Sequence, residues 1–241
     1  MGRKVVFGGI VLVTMAGVAG RVAAYEAIPV TDGGTLAGTV TLEGAAPPPA
    51  KIDVTKDPEV CGKEPKIAPN LLVGQGNGIA NVVVVVQAQK GKKLEPATPN
   101  PVFDQKTCEF HPHVLAFPAG STVEVKNSDG ILHNIHTTST VNPSSNQAQP
   151  KFKPVITIKV EKPEWPIAVK CDVHGWMSGY WISEEHPYYA VTDANGTFKI
   201  ADIPPGDYQV EVWQEKLGKK TFPASIKAKE ETKVAWSLPA K

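Results

Sequence analysis

The stretch AVTDANGTFKIADIPPGDYQVEVW, residues 190–213, predicts β-strands separated by tight turns. Apolar and polar residues alternate at 197–200 and again at 208–213, which is the period of a strand with one buried face. The DANG segment at 193–196 and the PPG segment at 204–206 contain the residue types that tight turns require. The stretch therefore predicts a meander of strands rather than helices.

The rest of the chain has the same character. Its 241 residues include 22 prolines and 21 glycines, the apolar residues occur in short runs, and no segment has a helical period. Five consecutive valines at 82–86 predict a strand buried on both faces. The polar stretch 138–150 is predicted to be a loop. Further strands are expected at 35–43, 71–73, 114–117, 121–126, 131–137, 155–160, 167–170, 188–192, 224–229 and 232–236. The predicted fold class is all-β.

The N-terminus predicts export. Two basic residues precede an apolar run at 5–20, and the small residues at 22–24 resemble a cleavage site. Residues 1–24 are therefore predicted to be a signal peptide, and the protein to be periplasmic or secreted. The run is shorter than the roughly 20 residues of a membrane-spanning helix, so we expect no stable membrane insertion after cleavage. An uncleaved anchor stays open as an alternative because Arg21 interrupts the cleavage region.

Charge and motif content exclude some function classes. The formal net charge is +1 and no basic stripe occurs, so we expect no nucleic-acid partner. The sequence contains no Ser-His-Asp order and no carboxylate motif that would argue for hydrolysis. We therefore do not expect a hydrolase.

The three cysteines have different surroundings in the sequence. In an oxidising compartment, an odd number of cysteines implies one thiol with a separate role. Cys61 and Cys108 are candidate disulfide partners, while Cys171 lies among other metal-ligand residue types. A different pairing, or three free thiols, remains open at this point.

The stretch VKCDVHGWMSGYW, residues 169–181, holds a thiol, an imidazole and a thioether at intervals of three: Cys171, His174 and Met177. A transition-metal site also needs a second nitrogen donor, which the upstream stretch NSDGILHNIH at 127–136 offers. A thiolate, two imidazoles and a weak axial thioether are the ligands of blue-copper sites, which carry single electrons. A structural zinc site more often uses paired CxxC motifs, and none occurs here.

These two motifs resemble the cupredoxins, the amicyanins and plastocyanins in particular. Carried over, the resemblance implies a cupredoxin Greek-key β-sandwich holding one type 1 copper. His133, Cys171 and His174 would be its equatorial ligands and Met177 its axial ligand. His133 is preferred over His136 because His133-Asn134 matches the family motif.

The resemblance also implies roles around the ligands. The Asn134 backbone amide would reach the thiolate sulfur. The ring edge of His174 would be the electron exit, surrounded by an apolar docking surface that includes Trp176. Whether the remaining histidines bind a second metal stays open; they are His111, His113, His136 and His186.

The opening stretch resembles a carboxypeptidase-regulatory or transthyretin-like β-sandwich, in which T-x-x-x-G-x-F is followed by PPG-x-Y. We expect residues 33–97 and 187–241 to form this second, smaller sandwich, with the cupredoxin domain, 102–185, inserted between them. The alternative is three consecutive pieces in which the N-terminal strands complete the cupredoxin domain.

The function expected from the sequence is that of an exported blue-copper protein. It would carry single electrons between redox partners, such as a c-type cytochrome or a dehydrogenase, and would therefore be an electron carrier and not an enzyme. Two alternatives stay open: a copper storage or delivery protein, and an extracellular β-sandwich binding module in which copper is incidental.

Overall fold

The structure is a computed structural model that describes residues 25–240. The predicted signal peptide, residues 1–24, lies outside the described residues. No helix within residues 25–240 is long and apolar enough to cross a membrane. The described chain is almost entirely β, which confirms the predicted all-β fold class.

The elements follow one another along the chain in three groups. The N-terminal part contains β1 (Glu26–Ala27), β2 (Gly34–Glu43), β3 (Lys51–Ile52), the one-turn helix α1 (Pro58–Cys61), β4 (Lys66–Ile67), a 3-10 turn (Gln75–Asn77), β5 (Val83–Val86) and β6 (Lys90–Gly91). The middle part contains β7 (Val102–Lys106), β8 (Glu109–His111), β9 (Val114–Pro118), β10 (Ser121–Asn127), β11 (His133–Thr138), β12 (Ser145–Gln149), β13 (Val155–Val160), β14 (Glu164–Lys170) and β15 (Ser178–Glu184). The C-terminal part contains β16 (Tyr189–Val191), β17 (Thr197–Ile203), β18 (Gly206–Gln214), β19 (Gly218–Ile226) and β20 (Glu231–Pro239).

The middle strands form one pair of sheets, which we call the larger sandwich. One sheet has the order β13-β10-β7-β8, and the other has the order β12-β11-β14-β15-β9. Alternate residues of β10 point inward, as its burial pattern shows, and β10 matches the strand predicted at 121–126. The core between the sheets includes the buried aromatic residues Phe103, Phe117 and Trp181.

Strands from both ends of the chain form the smaller sandwich. Its sheets have the orders β16-β5-β18-β19 and β17-β2-β20, so β2 and β5 pair with strands that follow the larger sandwich in sequence. The core includes Leu36, Val84, Ile200 and Trp236. The boundaries of independently folding domains stay a prediction.

The valine run is buried on both faces because β5 faces two cores. Val82, Val84 and Val86 belong to the core of the smaller sandwich. Val83 and Val85 point the other way and pack with residues of β9 and β15 of the larger sandwich. The two sandwiches therefore share an apolar contact, and the expectation of a doubly buried strand is confirmed.

Two predictions about secondary structure are wrong. The stretch 138–150 is not all loop, because β12 pairs with β11 in the register His133↔Gln149. Nearly all side chains of β12 are polar, so the sequence shows no alternation of apolar and polar residues there. The strand forms because its backbone pairs with β11. The strand predicted at 71–73 is reduced to a single bridge between Val73 and Ile79.

Glu164 anchors the turn between β11 and β12. Its carboxylate accepts hydrogen bonds from the backbone amides of Thr140 at 2.5 Å, Val141 at 3.1 Å and Asn142 at 2.9 Å, and from the Ser139 hydroxyl. Burial raises the pKa of this carboxyl, but the hydrogen bonds outweigh it and lower the pKa to about 2.

We expect Glu164→Gln to reduce stability by about 1–2 kcal/mol at neutral pH, because charge-assisted bonds to the turn are lost. The pKa of Glu164 is lower in the folded protein, so its contribution is present above the unfolded pKa of 4.5 and is lost as pH falls toward 2. Urea unfolding at several pH values measures this. Wild type and variant should converge in acid, and a constant difference down to pH 2 would contradict the assignment.

Candidate metal centre

Strand pairing brings the two predicted ligand stretches to one end of the larger sandwich. β11 begins at His133, and the antiparallel β14 ends at Lys170, paired with His136. The loop that follows β14 therefore starts beside the first residues of β11. This loop carries Cys171, His174 and Met177 before the chain returns in β15.

Three donor atoms meet at this point. The Cys171 sulfur lies 3.8 Å from Nδ1 of His133 and 3.8 Å from Nδ1 of His174. All three donors lie within 4.8 Å of one another, and the three residues are between 0 and 1% exposed. Nitrogen and sulfur ligands about 2.0–2.3 Å from one ion stand roughly 3.5–3.8 Å apart. The spacing therefore fits one shared metal ion, and a thiolate with two imidazoles suits copper.

Asn134 holds the loop that follows β14 against β11. Its backbone amide donates to the Cys171 sulfur at 3.5 Å, as the resemblance implied. Its side-chain oxygen accepts from the amides of Asp172 at 2.5 Å and Val173 at 3.4 Å. One residue thus places the thiolate and fixes the backbone that follows it.

Met177 closes the loop. Its amide donates to the His174 carbonyl at 2.9 Å, and its carbonyl accepts from the Cys171 amide at 3.3 Å. The side chain is buried in the same apolar cluster as Cys171. The assignment of Met177 as an axial ligand stays a prediction.

The surroundings set the protonation of the donors. Burial raises the pKa of the Cys171 thiol, but hydrogen bonds from His133 and the Asn134 amide outweigh it and lower the pKa. Burial lowers the pKa of His174. Burial also acts to lower the pKa of His133, but the bond to Asp129 and the nearby thiolate raise it to about 8. Metal binding at His133 would therefore release a proton.

In both His133 and His174, the ring nitrogen that faces away from Cys171 donates a hydrogen bond to a carboxylate. Nε2 of His133 donates to Asp129 at 2.9 Å, and Nε2 of His174 donates to Asp57 at 2.8 Å. Carboxylate partners of this kind fix the tautomer and orientation of a metal-binding histidine. With Nε2 bonded to a carboxylate, Nδ1 of each ring faces the sulfur of Cys171 and becomes a metal donor when it carries no proton.

The His174 ring, whose edge the resemblance implies to be the electron exit, is fully buried. The side chain is 0% exposed, because Asp57 covers Nε2 and Trp176 packs against the ring with centroids 5.2 Å apart. The role of this ring edge as the electron exit stays a prediction. Sequence reasoning missed Asp57, which lies 117 residues from His174. Its position before a proline and near Cys61 gave no functional signal.

The disulfide between Cys61 and Cys108 is present, with the two residues 47 apart in sequence. This confirms the candidate pairing. Among the described residues, Cys171 is the one free cysteine.

The remaining histidines lie elsewhere. His136 points away from the donors and contacts Asp172 at the surface. His113 contacts Glu215 and the Ser178 carbonyl, and His186 accepts from the Tyr188 amide. Within residues 25–240, none of these three, nor His111, belongs to a cluster of three metal donors.

A known protein family matches part of the chain. Residues 161–234 match the family described as polysaccharide lyase family 4, domain II. The matched segment covers less than half of the chain and runs from the end of the larger sandwich into the smaller one. None of the curated proteins matches the chain. The resemblance of the smaller sandwich to carboxypeptidase-regulatory domains stays a prediction.

Several solved structures of copper proteins are similar to part of the chain. A copper-containing nitrite reductase from Thermus scotoductus SA-01 is 25% identical, with a TM-score of 0.32, over 39% of this chain. The chain spans about a quarter of that enzyme, 24% of its length. A purple cupredoxin from Nitrosopumilus maritimus is 18% identical over 35% of this chain and 100% of its own, with a TM-score of 0.31.

An amicyanin variant in its reduced Cu(I) form is 18% identical over 42% of this chain and 98% of its own, with a TM-score of 0.33. Similarities at these TM-scores are too weak to carry an argument about function. The support for a metal site therefore comes from the donor atoms of His133, Cys171 and His174.

Proposed function

We propose that the protein binds one copper ion through His133, Cys171 and His174, with Met177 as a fourth, axial ligand, and that it carries single electrons. The observation that supports this most strongly is the meeting of one thiol and two imidazole nitrogens, each 3.8 Å from the sulfur, in a site closed to water. Copper held by such donors supplies reversible one-electron chemistry.

The residues of the chain are arranged to keep this site rigid. The Asn134 amide donates to the sulfur and stabilises its negative charge. Asp129 and Asp57 orient the two rings from behind. Little rearrangement is then needed when the charge at the site changes by one, which is what a carrier requires.

The proposed setting follows from the N-terminal sequence. Export to the periplasm or beyond the cell would place the protein among soluble redox partners, such as a c-type cytochrome or a dehydrogenase. The oxidised pair Cys61–Cys108 is in keeping with an oxidising compartment.

One observation favours a second candidate, copper storage or delivery. The His174 ring is fully buried, so a partner does not touch this ligand directly in the described structure. A storage protein has no need of an exposed ligand edge, whereas a carrier needs a short path to its partner.

Stopped-flow mixing of the copper-loaded, reduced protein with an oxidised c-type cytochrome separates the two candidates. We expect electron exchange far faster than copper loss to a Cu(I) chelator. Slow exchange together with ready loss of copper would favour storage and count against the carrier.

A further inference from the structure

Asp57 lies in a segment that runs across the candidate metal centre. It precedes helix α1, and its Oδ2 atom accepts from Nε2 of His174 at 2.8 Å. The Asp57 side chain is 32% exposed while His174 is 0% exposed, so Asp57 stands between the ring and the solvent. Within residues 25–240, Asp57 is the one hydrogen-bond partner of Nε2 of His174.

The backbone of this segment is fixed at Asp57. The residue adopts the left-handed conformation, with φ 48° and ψ 49°, which is uncommon for residues other than glycine but tolerated by Asp and Asn. Its carbonyl accepts from the amides of Val60 at 3.0 Å and Cys61 at 2.9 Å. The turn therefore holds the carboxylate four residues from a disulfide.

Cys108, the other half of that disulfide, is connected to the rest of the site. Its amide donates at 2.8 Å to Asp129, the carboxylate that also accepts from His133. Its carbonyl accepts from the indole nitrogen of Trp176 at 3.0 Å. The carboxylate partners of both histidines are thus linked through one covalent bridge.

A second attachment keeps the segment in place. β3 pairs with β4 and closes the segment into a loop, 51–67. The buried Lys66 at the end of this loop donates to the Thr107 carbonyl, next to Cys108. The loop is therefore joined to residues 107–108 both by a disulfide and by a hydrogen bond.

We propose that Asp57 is a positioning residue for His174, and that the disulfide-anchored loop 51–67 is a fixed cover over the ring edge of this histidine. This proposal rests on the proposed function, in which His174 is a metal ligand. The carboxylate keeps the proton on Nε2 and turns Nδ1 toward Cys171. A redox partner that docks here would therefore contact loop 51–67 and not the His174 ring.

Two substitutions of Asp57 distinguish the effect of its hydrogen bond to His174 from the effect of its negative charge. Asp57→Asn keeps an acceptor oxygen, whereas Asp57→Gly removes it. Both residues tolerate the left-handed conformation, so neither strains the backbone. Asp53→Asn is the matched control, because Asp53 is an exposed acid in the same loop.

The first readout is NMR of the His174 ring nitrogens in the metal-free chain with its disulfide intact. We expect a protonated Nε2 with slow proton exchange in wild type, Asp57→Asn and Asp53→Asn, and loss of this signal in Asp57→Gly. An unchanged His174 signal in Asp57→Gly would overturn the proposal, whatever the metal does.

The second readout is Cu(I) affinity by competition with a chelator. Loss of a residue that orients a ligand costs about 10- to 100-fold in affinity, so we expect this loss in Asp57→Gly and none in Asp53→Asn. Equal affinities of Asp57→Gly and wild type would overturn the positioning role. If wild type binds no copper, the proposed function fails, while the NMR result still decides whether Asp57 covers and orients the ring.

Discussion

Replacing Cys171 with serine is expected to abolish the intense visible absorption of the copper-loaded protein. That absorption arises when a thiolate donates charge to Cu(II), and Cys171 carries the one free thiol among the described residues. A serine hydroxyl is a hard donor and does not ionise at neutral pH. The variant should therefore lose the band completely and bind copper much more weakly.

The matched control for this substitution is His136→Asn. His136 lies on the same strand as His133, but it contacts Asp172 at the surface and is not among the donors. The control should keep the colour of wild type, because all three donors and their hydrogen bonds stay in place. A Cys171→Ser protein that retains the band would contradict the ligand assignment.

Removing the disulfide is expected to have the largest effect on stability. In the chain-entropy account, a bridge between residues 47 apart stabilises the fold by about 4 kcal/mol. The double variant Cys61→Ala/Cys108→Ala should therefore unfold at much lower denaturant concentration. Because this bridge also holds the loop that carries Asp57, His174 should become accessible to solvent and to a histidine-modifying reagent.

Cys171→Ala is the control for the disulfide variant, because it removes a buried cysteine and leaves the bridge intact. Urea unfolding measures the stability of both proteins, and modification of His174 measures the cover. A double variant that loses less than about 1 kcal/mol, with His174 still protected, would show that the bridge is not what holds the loop.

The sequence predicts the strands well where side chains reveal their period. The alternation in β10 and the valine run of β5 follow directly from burial of one face and of two faces. The polar strand β12 has no such signal, since its partner β11 supplies the order through backbone pairing. Its existence depends on a neighbour that no local pattern identifies.

The sequence predicts the donor residues of the candidate site but not the residue that orients one of them. His133, Cys171 and His174 belong to residue types whose chemistry is specific, and their spacing matches a known family pattern. Asp57 is one of 24 acidic residues, and only the folded loop brings it to His174. Burial of the His174 ring behind loop 51–67 was not predictable either, because no local pattern in that loop indicates a contact with His174.

The most direct test of the proposed copper site is the combined visible and EPR spectrum of the copper-loaded chain that begins at residue 25. One thiolate and two imidazoles around a single Cu(II) predict one bound copper per chain, intense absorption from the thiolate and a narrow copper hyperfine splitting, all reversed by a reductant. Weak absorption with the wide splitting of an oxygen- and nitrogen-bound copper, or no bound copper at all, would contradict it.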